Sequence, residues 1–525
     1  MNAQHVKRFK QVVVCAVLVL FGFTIPTFAA EQQKAVVVTA AADYSSGAHS
    51  VINVDPADGP KDYTNNLAPT VSDLTIVAQG RYFYRIEQFF ADNIAKFDIA
   101  NPGTPIWQYS TMDQNDTVSS SNPQDIVFAS PDKAYLLRQN TPTAWIVNPQ
   151  AASEASFKVG TLDLSSYNDG DGYSPEMTQA IVVKGKLFIL MQRLDQNDNW
   201  TPQEGYLAVF DTVTDAEIDT WQGRDGRKGI LLPVKNPSTL YYLPENDTIY
   251  VQGSGRLEST FSGTPAEYTG GIAAIDPDTY KTRMVLDDGD DLNHTYGNIT
   301  GMVIVSSTKG YFVGYEDFGN NTLYSFNPSN GEVDGAPVEI LKNTNIPGME
   351  AGGAMDQNGL VWITDATNAQ VVIIDPADDS VKDTVPTNLN PQKIVFVTFD
   401  DDNIDITGNG EQGPLSFSTR DKISLALTFN AGQNRGQDAE WWIAAVVDES
   451  VFYSLQLKPF GWAKGIVAPS FQDRKADFSG IEVYNNYLPA GSYTFIFAVD
   501  DKPNGVIDLP SALWDILEIK ITGDR

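Results

Sequence analysis

One phrase recurs along this chain, and its clearest copy reads Gln370-Val371-Val372-Ile373-Ile374-Asp375-Pro376-Ala377-Asp378-Asp379. The apolar, β-branched run is typical of a buried strand. Proline then ends the strand because it lacks a backbone N–H donor and fixes φ, and the aspartate before it can hydrogen-bond its own main chain. The phrase therefore predicts a strand that ends in a turn at a defined place.

Six further copies precede this one at intervals of roughly 46 to 65 residues, the period of four-stranded blades rather than of helical repeats of about 33 to 47 residues. Each copy is a short apolar run followed by Asp or Asn and, in all but one copy, by Pro. The runs and their turn residues are Val51–Val54 with Asp55-Pro56, Ala95–Ile99 with Asn101-Pro102, Trp145–Val147 with Asn148-Pro149, Leu207–Phe210 with Asp211-Thr212, Ile272–Ile275 with Asp276-Pro277, and Leu323–Phe326 with Asn327-Pro328.

Partner strands precede the copies by about 15 to 20 residues, for example at Lys133–Leu137 and Leu360–Ile363. Inner-strand candidates come before several partners, as at Asp125–Phe128, Ala180–Val183 and Met302–Val305. Such a unit cannot bury its faces alone, so the units must stack, and radial stacking of small antiparallel sheets is a β-propeller. We therefore expect an all-β chain with a seven-bladed β-propeller over residues 30–398.

The two ends of this region predict how the propeller closes. The first blade opens with Ala35–Val38 and lacks an inner strand, whereas Ile394–Val397 follows the seventh copy. We expect Ile394–Val397 to complete the first blade, since this pairing removes an open sheet edge. The alternative is that Ile394–Val397 begins the next domain.

Residues 1–29 have the pattern of a secretory signal peptide. Lys7, Arg8 and Lys10 precede the apolar run Val12–Phe23, which is too short for a membrane span. We therefore expect an exported protein, periplasmic or extracellular, without a membrane span. The only cysteine, Cys15, lies in this leader, which excludes disulfides, iron–sulfur clusters, thiolate zinc sites and covalent c-type haem from the mature chain.

Charge and histidine content narrow the functions further. The formal net charge is −32, which repels nucleic acid and anionic membrane surfaces and attracts cations. Outside the leader the only histidines are His49 and His294, so imidazole metal clusters and Ser-His-Asp hydrolysis depend on these two residues. His294 is the candidate general base, and a loop histidine bonded to a neighbour is the alternative.

A second module follows an acidic, glycine-bearing linker at residues 399–411. Short alternating or apolar runs in residues 412–525 predict a two-sheet β-sandwich of roughly seven strands. The clearest runs are Ile423–Phe429, Trp441–Val447, Tyr493–Val499 and Ile516–Ile521.

Two resemblances follow from these stretches. Leu360–Pro376, which reads LVWITDATNAQVVIIDP, resembles the repeats of the YVTN-type seven-bladed propeller superfamily. Over all copies of the phrase, this resemblance covers about two thirds of the chain. The segments Ala439–Trp442, Pro459–Trp462 and Leu488–Phe495 resemble a C-terminal β-sandwich module of secreted proteobacterial proteins. The first resemblance implies a fold and no particular activity. We know of no established activity for the second.

One oxygen-rich loop predicts cation binding. Asp500, Asp501, Asn504 and Asp508 surround a glycine turn, and carboxylate and amide oxygens are the ligands that Ca²⁺ prefers. The spacing is not that of an EF-hand, and a hairpin turn with acidic decoration is the alternative. Two less complete runs have a similar composition: Asn168–Gly172 and Asp287–Asp291.

Three carboxylates precede or enter inner strands, where the mouth of a propeller channel is lined: Asp125, Glu176 and Glu350. With Ca²⁺ or Mg²⁺ bound, such carboxylates would activate water for lactone or ester opening. An acidic residue at the start of each inner strand is also what a solvent-lined channel shows.

Two functions therefore stay open. The first is a secreted, non-catalytic binding or scaffold protein that presents a propeller face to a protein or carbohydrate partner, and the absence of a catalytic motif favours it. Aromatic pairs such as Tyr241-Tyr242 would stack on sugars, although one member of such a pair is normally in the core. The alternative is a divalent-metal-dependent hydrolase or lyase with a carboxylate-lined channel.

Overall fold

The computed structural model describes residues 32–57, 59–168, 174–259, 263–317, 319–347, 353–399, 403–432, 435–448, 450–457, 460–465, 468–507 and 512–523. These residues form strands and three short 3₁₀ helices, and the chain divides into two units, one of residues 33–398 and one that contains residues 399–525. The leader predicted at residues 1–29 lies outside the described residues. No helix in the described part of the chain has the length and apolarity needed to span a bilayer.

The first unit is a β-propeller whose described residues form seven sheets of four strands. We number the sheets as blades 1 to 7 in chain order. Blade 1 contains β1 (Gln32–Ala40), β2 (Gly47–Asn53) and β3 (Tyr63–Thr70), and blade 2 contains β4 (Leu74–Gln79), β5 (Tyr82–Glu87), β6 (Asn93–Asp98) and β7 (Trp107–Ser110). Blade 3 contains β8 (Pro123–Ser130), β9 (Lys133–Arg138), β10 (Thr143–Val147) and β11 (Lys158–Asp163). Blade 4 contains β12 (Met177–Val183), β13 (Lys186–Met191), β16 (Glu204–Asp211) and β17 (Ile230–Lys235), and a small hairpin of β14 (Leu194–Asp195) and β15 (Thr201–Pro202) lies between β13 and β16.

The remaining blades follow the same plan. Blades 5 to 7 contain β18 (Pro237–Leu243), β19 (Thr248–Gly253), β20 (Gly271–Ile275) and β21 (Thr282–Asp287); β22 (Asn298–Ile304), β23 (Gly310–Asp317), β24 (Asn320–Phe326) and β25 (Val333–Pro337); and β26 (Gly353–Met355), β27 (Val361–Asp365), β28 (Gln370–Asp375) and β29 (Ser380–Pro386). After them comes β30 (Asn390–Phe399), and the 3₁₀ helices are Glu154–Ser156, Ser165–Tyr167 and Glu339–Leu341.

The repeated phrase forms the third strand of every blade, counted outward from the channel: β2, β6, β10, β16, β20, β24 and β28. The predicted partner strands are second strands and the predicted inner strands are first strands, so both predictions are confirmed. The third strands are buried on both faces, as at Val371–Ile374 in β28. Most outer strands carry no long apolar run, as in the largely exposed β29, so no periodic signal marks them; β17, with the run Ile230–Leu232, is an exception.

Apolar clusters join each blade to the next and make a closed ring. Six pairs of neighbouring blades share a cluster, and each cluster is represented here by one residue from each blade. The residues are Ile86 and Leu136 for blades 2 and 3, Leu137 and Ile189 for blades 3 and 4, and Leu190 and Val251 for blades 4 and 5. They are Tyr250 and Phe312 for blades 5 and 6, Val313 and Ile363 for blades 6 and 7, and Trp362 and Val37 for blades 7 and 1. Blades 1 and 2 meet where the imidazole of His49 packs edge-on against Phe83 and Phe97, with ring centroids 5.1 and 5.2 Å apart. Each blade thus buries both faces against its neighbours.

His49 is a core residue of this junction. Its Nε2 lies 2.8 Å from the carbonyl oxygen of Pro102, and its Nδ1 lies 3.3 Å from the guanidinium of Arg85. Burial lowers the pKa of His49 to about 4, and the charge of Arg85 adds to the effect. The imidazole is therefore neutral at pH 7 and belongs to the packing of blades 1 and 2.

Closure of the ring by β30 is confirmed. β30 lies beside β1 in the first sheet, so the last strand of the propeller supplies the inner strand that blade 1 lacks. Ile394 and Val397 are buried, and Ile394 packs in the cluster shared by blades 7 and 1. The Lys393 ammonium donates to the Thr75 hydroxyl of β4 at 3.2 Å, which ties β30 to blade 2.

The turns of the repeated phrase also link neighbouring blades. In blade 7 the carboxylate of Asp379, a turn residue with φ 58°, accepts from the Lys309 ammonium at 2.8 Å and from the Tyr311 hydroxyl of blade 6. In blade 4 Asp215, with φ 56°, does the same for Lys133 and Tyr135 of blade 3, at 2.8 and 2.7 Å. In these two blades the acidic turn therefore ends the third strand and also bonds lysine and tyrosine side chains of the preceding blade.

The second unit contains two sheets that face each other across one apolar core, which is a β-sandwich. Leu425 and Leu427 of one sheet share this core with Trp441 and Phe497 of the other. The strands are β31 (Asn403–Gly408), β32 (Leu415–Ser418), β33 (Lys422–Asn430), β34 (Asp438–Val447), β35 (Val451–Leu457), β36 (Phe460–Lys464), β37 (Phe471–Arg474), β38 (Phe478–Tyr487), β39 (Gly491–Asp500) and β40 (Leu513–Thr522). One sheet has the order β31-β33-β38, and the other has the order β32-β40-β39-β34-β35-β36 with β37 also on β34.

The predicted linker at residues 399–411 contains a strand of this sandwich. β31 pairs with β33 over Asn403–Gly408, and Ile406 is buried in the core. The acidic and glycine residues of this segment favour a linker, but its alternating apolar residues are those of a strand, and the segment belongs to the sheet.

Ile394→Ala should lower the free energy of unfolding of the propeller by about 2–5 kcal/mol, because it removes buried methyl groups between blades 7 and 1. Urea unfolding followed by tryptophan fluorescence, to which Trp362 on Phe396 of β30 contributes, measures the change. Val381→Ala, at a site 41% exposed on β29, is the control and should change stability by less than about 0.5 kcal/mol. Equal effects of the two substitutions would contradict the burial of Ile394.

Candidate functional site

One face of the propeller carries the loops that enter the inner strands and the loops that follow the second strands. Backbone hydrogen bonds join these two sets of loops within a blade. In each case the residue after the second strand donates its N–H to a carbonyl oxygen at the start of the inner strand. The pairs are Gln88 to Asp73, Gln139 to Asn122, Gln192 to Glu176 and Ser254 to Asn236. We call this side the loop face; the turns of the repeated phrase lie at the opposite ends of the strands.

A cavity of about 530 Å³ opens where the inner strands converge at the loop face. We call it the funnel. All seven blades contribute to its wall, through Gln392 and Lys393 of β30, Leu74 and Thr75 of β4, Gln124 and Asp125 of β8, Thr178 and Gln179 of β12, Ser238 of β18, Thr300 of β22, and Asn345–Pro347 before β26. The volume lies within the range of small-molecule sites.

The wall of the funnel is lined mainly by amide and hydroxyl side chains. Its described charged residues are Asp73, Asp125 and Lys393. Two tyrosines line the same cavity: Tyr44, in the loop between β1 and β2 of blade 1, and Tyr315, near the end of β23 in blade 6. Amides and hydroxyls both donate and accept hydrogen bonds, so the funnel suits a neutral ligand with many polar groups.

A ladder of side-chain amides runs through blades 2 to 5 on the loop face. Each donates to the next: Gln88 to Gln124 (2.7 Å), Gln124 to Asn122 (2.9 Å), Asn122 to Gln139 (2.6 Å), Gln139 to Gln192 (3.1 Å) and Gln192 to Asn236 (2.7 Å). Asn122 and Asn236 have φ of 46° and 49°, a conformation that asparagine tolerates better than most residues. The ladder fixes the orientation of the Gln88 and Gln124 amides, which line the funnel.

Asp125 is the predicted channel carboxylate that lines the funnel. It is buried, and its Oδ2 accepts the backbone N–H of Ala180 in the next inner strand at 2.9 Å. Burial raises the pKa of Asp125, and the charge of Lys393 and this hydrogen bond oppose the rise. Asp125 therefore joins blades 3 and 4 within the wall.

Glu176 is placed differently from Asp125. It is buried with φ 48° and does not line the funnel. Its carboxylate accepts the N–H of Leu194 at 3.0 Å and the side-chain amide of Gln196 at 3.1 Å, which holds the hairpin of blade 4. Glu350 lies outside the described residues.

Asp73, which sequence reasoning missed, occupies the position in blade 2 that Glu176 has in blade 4. Its Oδ2 accepts the N–H of Phe89 at 3.1 Å, and Asp73 also lines the funnel. The residue before an inner strand lies beside the loop that follows the second strand, so an acid there accepts the N–H groups of that loop. This hydrogen bonding accounts for the acids at Asp73 and Glu176.

His294 lies away from the funnel, in the loop between β21 and β22. It is exposed, its ring stacks on Tyr268 with centroids 4.1 Å apart, and its Nδ1 lies 2.9 Å from the carbonyl oxygen of Asp290. Tyr268 lines a second, open cavity of about 380 Å³ together with Glu267 and Asp290–Leu292. The described residues do not bring His294 to the predicted channel carboxylates.

The loop after β39 holds the predicted calcium ligands in different environments. Asp500 is buried, whereas Asp501 pairs with the buried ammonium of Lys475 at 2.6 Å. The side-chain oxygen of Asn504 accepts the N–H of Val506 at 2.8 Å. Asp508 lies outside the described residues, as does most of Asn168–Gly172. Within the described ranges no three or more His, Cys, Asp or Glu side chains converge as metal ligands.

Comparison with known proteins adds structural likenesses. No family model and no curated protein matches the chain. The matching solved structures include apo AztD from Citrobacter koseri (TM-score 0.39, 12% identity, 70% of this chain and 98% of that chain), hydrazine synthase of Kuenenia stuttgartiensis (0.41, 14%, 71% and 99%) and the Swd1 β-propeller domain of Myceliophteria thermophila (0.36, 9%, 67% and 92%). At this similarity no activity transfers to the chain.

Asp288, next to the second cavity, has a perturbed acidity. It is buried after β21 and accepts the N–H of Gly270 at 3.0 Å. Burial raises the pKa of Asp288 to about 7, and the charge of Asp287 adds to the rise. The folded protein therefore holds this proton more tightly than the unfolded chain does.

Asp288→Asn should make the protein progressively more stable than the wild type as pH rises from about 4 to about 7. The wild type loses the stability of the buried, protonated acid over that window, whereas asparagine keeps a hydrogen-bond acceptor and does not titrate. The difference should reach about 2–4 kcal/mol, since one pKa unit corresponds to about 1.4 kcal/mol. Urea unfolding at several pH values measures it. The exposed control Asp291→Asn should show no such rise, and a pH-independent difference for Asp288→Asn would refute the raised pKa.

Proposed function

We propose that this chain is a non-catalytic binding protein and that the funnel on the loop face binds a neutral carbohydrate. The observation that carries the proposal is the lining of the funnel, in which amide and hydroxyl groups from all seven blades surround one cavity. Sugars present hydroxyl groups that donate and accept hydrogen bonds in the same way.

The polar groups of the funnel are held in place before any ligand binds. The amide ladder fixes Gln88 and Gln124, and the carbonyl oxygen of the Gln179 side chain accepts the N–H of Leu240 at 2.5 Å. Preorganised groups lose little conformational entropy on binding, so more of the interaction energy appears as affinity.

Exposed aromatic side chains on the loop face offer stacking surfaces. Tyr44 is 60% exposed at the funnel, and Phe89 and Phe90 form an exposed pair with ring centroids 4.1 Å apart. Phe90 has φ 62°, an uncommon conformation for a non-glycine residue, and its N–H donates to the Ser120 hydroxyl at 3.0 Å. The backbone thus holds Phe90 on the surface at an energetic cost, as is typical of functional loops.

The charge of the protein favours a neutral ligand. The net charge of −32 repels polyanions, and Lys393, the basic residue of the funnel wall, bonds the Thr75 hydroxyl. We therefore expect neutral oligosaccharides to bind in preference to anionic ones.

The metal-dependent hydrolase or lyase remains the alternative function, but no contact among the described residues favours it. The carboxylate of Asp125 is bonded to the Ala180 N–H, and that of Glu176 holds a loop away from the funnel. Export to the periplasm or beyond, membership of the YVTN-type superfamily and the identity of the C-terminal module stay predictions of the sequence.

Binding to an array of neutral and anionic glycans, followed by calorimetry with the best ligand, tests the proposal. Gln124→Ala and Tyr44→Ala should each weaken binding at least about 10-fold, because each removes a direct contact of roughly 1.4 kcal/mol or more. Trp221→Ala is the control, since Trp221 is 84% exposed in the connection between β16 and β17 and does not line the funnel. Absence of glycan binding, or equal loss in the control, would refute the proposed site.

A further inference from the structure

The carboxylate of Glu440 in β34 is buried and only half satisfied. Glu440 is 0% exposed, and its Oε1 accepts both the side-chain amide of Gln472 at 2.5 Å and the N–H of Gly505 at 2.7 Å. Its Oε2 is buried and accepts no hydrogen bond from the residues that the structure describes. A buried charged oxygen without a partner is costly, so this atom points to a ligand that completes its environment.

A second buried carboxylate lies beside it. Asp500, also 0% exposed, is directly opposite Glu440 in the pairing of β34 with β39. Side chains of directly opposed residues project from the same face of a sheet, with Cβ atoms about 4.5–5.5 Å apart. The two acids therefore offer their carboxylate oxygens at one place on this face of the sheet.

The loop that follows β39 folds over the pair. Gly505, with φ 79°, bonds Glu440 through its N–H, and the N–H of Lys502 donates to the carboxylate of Asp500 at 3.0 Å. Asp501 is outside the pair because its carboxylate bonds Lys475. The loop therefore brings backbone groups close to two buried carboxylates of neighbouring strands.

We propose that Glu440 and Asp500 bind a divalent cation of the calcium class. Two carboxylates supply the negative charge and up to four oxygens, and Ca²⁺ accepts backbone carbonyl groups and water as its remaining ligands in flexible geometry. The cation occupies the environment of Glu440 Oε2, the buried oxygen that accepts no hydrogen bond from the described residues. Of the ligands predicted from the sequence the site keeps Asp500, and it adds Glu440. Asp501 bonds Lys475 and the Asn504 side chain accepts the N–H of Val506 instead.

The site would join three strands of the larger sheet. Gln472 of β37, Glu440 of β34 and Asp500 of β39 are neighbours across these strands. A bound cation links β34 to the end of β39 and to its loop, so binding stabilises the sandwich by mass action. The proposal is independent of the carbohydrate site, which lies in the propeller unit.

Calorimetric titration of the chelator-treated full chain with CaCl₂ tests the site. We expect saturable binding, with the loss of at least about 10-fold in affinity in Glu440→Gln and in Asp500→Asn. Asp501→Asn and Glu518→Gln are matched controls, since Asp501 pairs with Lys475 and Glu518 is exposed on β40, and both should bind Ca²⁺ as the wild type does. Binding that is unchanged in Glu440→Gln and Asp500→Asn would overturn the proposal.

A second measurement covers the case in which the carboxylate variants fail to fold. Trp442 lies two residues from Glu440 in β34, so its side chain projects from the same face of the sheet. Terbium bound in place of calcium should emit on excitation of Trp442, and Trp442→Phe should reduce this emission without changing the Ca²⁺ stoichiometry. Absence of Ca²⁺ binding to the wild type at millimolar concentration would overturn the cation site.

Discussion

Pairing of β30 with β1 is the contact on which the propeller depends. The chain begins blade 1 with β1, passes through six further blades and returns with β30, so the first and last strands of the unit share a sheet. Closure leaves no open edge in the ring and brings the inner strands together around one channel. The funnel exists because the strands that line it, including β30 with Gln392 and Lys393, are held in this closed arrangement.

The polar residues of the propeller are divided between its two faces. The acids of the repeated turns, such as Asp215 and Asp379, bond lysine and tyrosine side chains of the preceding blade and hold the ring together. On the loop face, amides carry a continuous hydrogen-bonded ladder from blade 2 to blade 5. The acidic turns therefore contribute to stability, while the loop face keeps a cavity lined by groups that can bind a ligand.

The propeller could be predicted from the sequence because its third strands are buried on both faces. Such strands are continuous apolar runs, and the Asp-Pro turn marks where each one ends, as at Ile374 and Asp375. Most outer strands were missed because they are half solvated and, unlike β17, have no long apolar run. The amide ladder was also missed, although a signal existed: Gln88, Gln139 and Gln192 each follow directly after a second strand, so alignment of the repeats would have shown the recurring glutamine.

The sites were harder to predict because the sequence does not show which group a carboxylate bonds in the folded protein. Glu176 and Asp125 have the same predicted role, but one holds a hairpin and the other lines the funnel. Glu440 was not predicted as a site residue because alternation along a strand suggests that one face is solvated. In the structure both faces of β34 are buried.

Native-state hydrogen exchange, followed by mass spectrometry over a series of denaturant concentrations, tests ring closure most directly. The peptides that cover β1 and β30 should open together, with the same free energy, because their amides belong to one sheet. If β30 instead opens with β31 and β33 of the sandwich while β1 stays protected, β30 does not close the ring, and the funnel loses its physical basis.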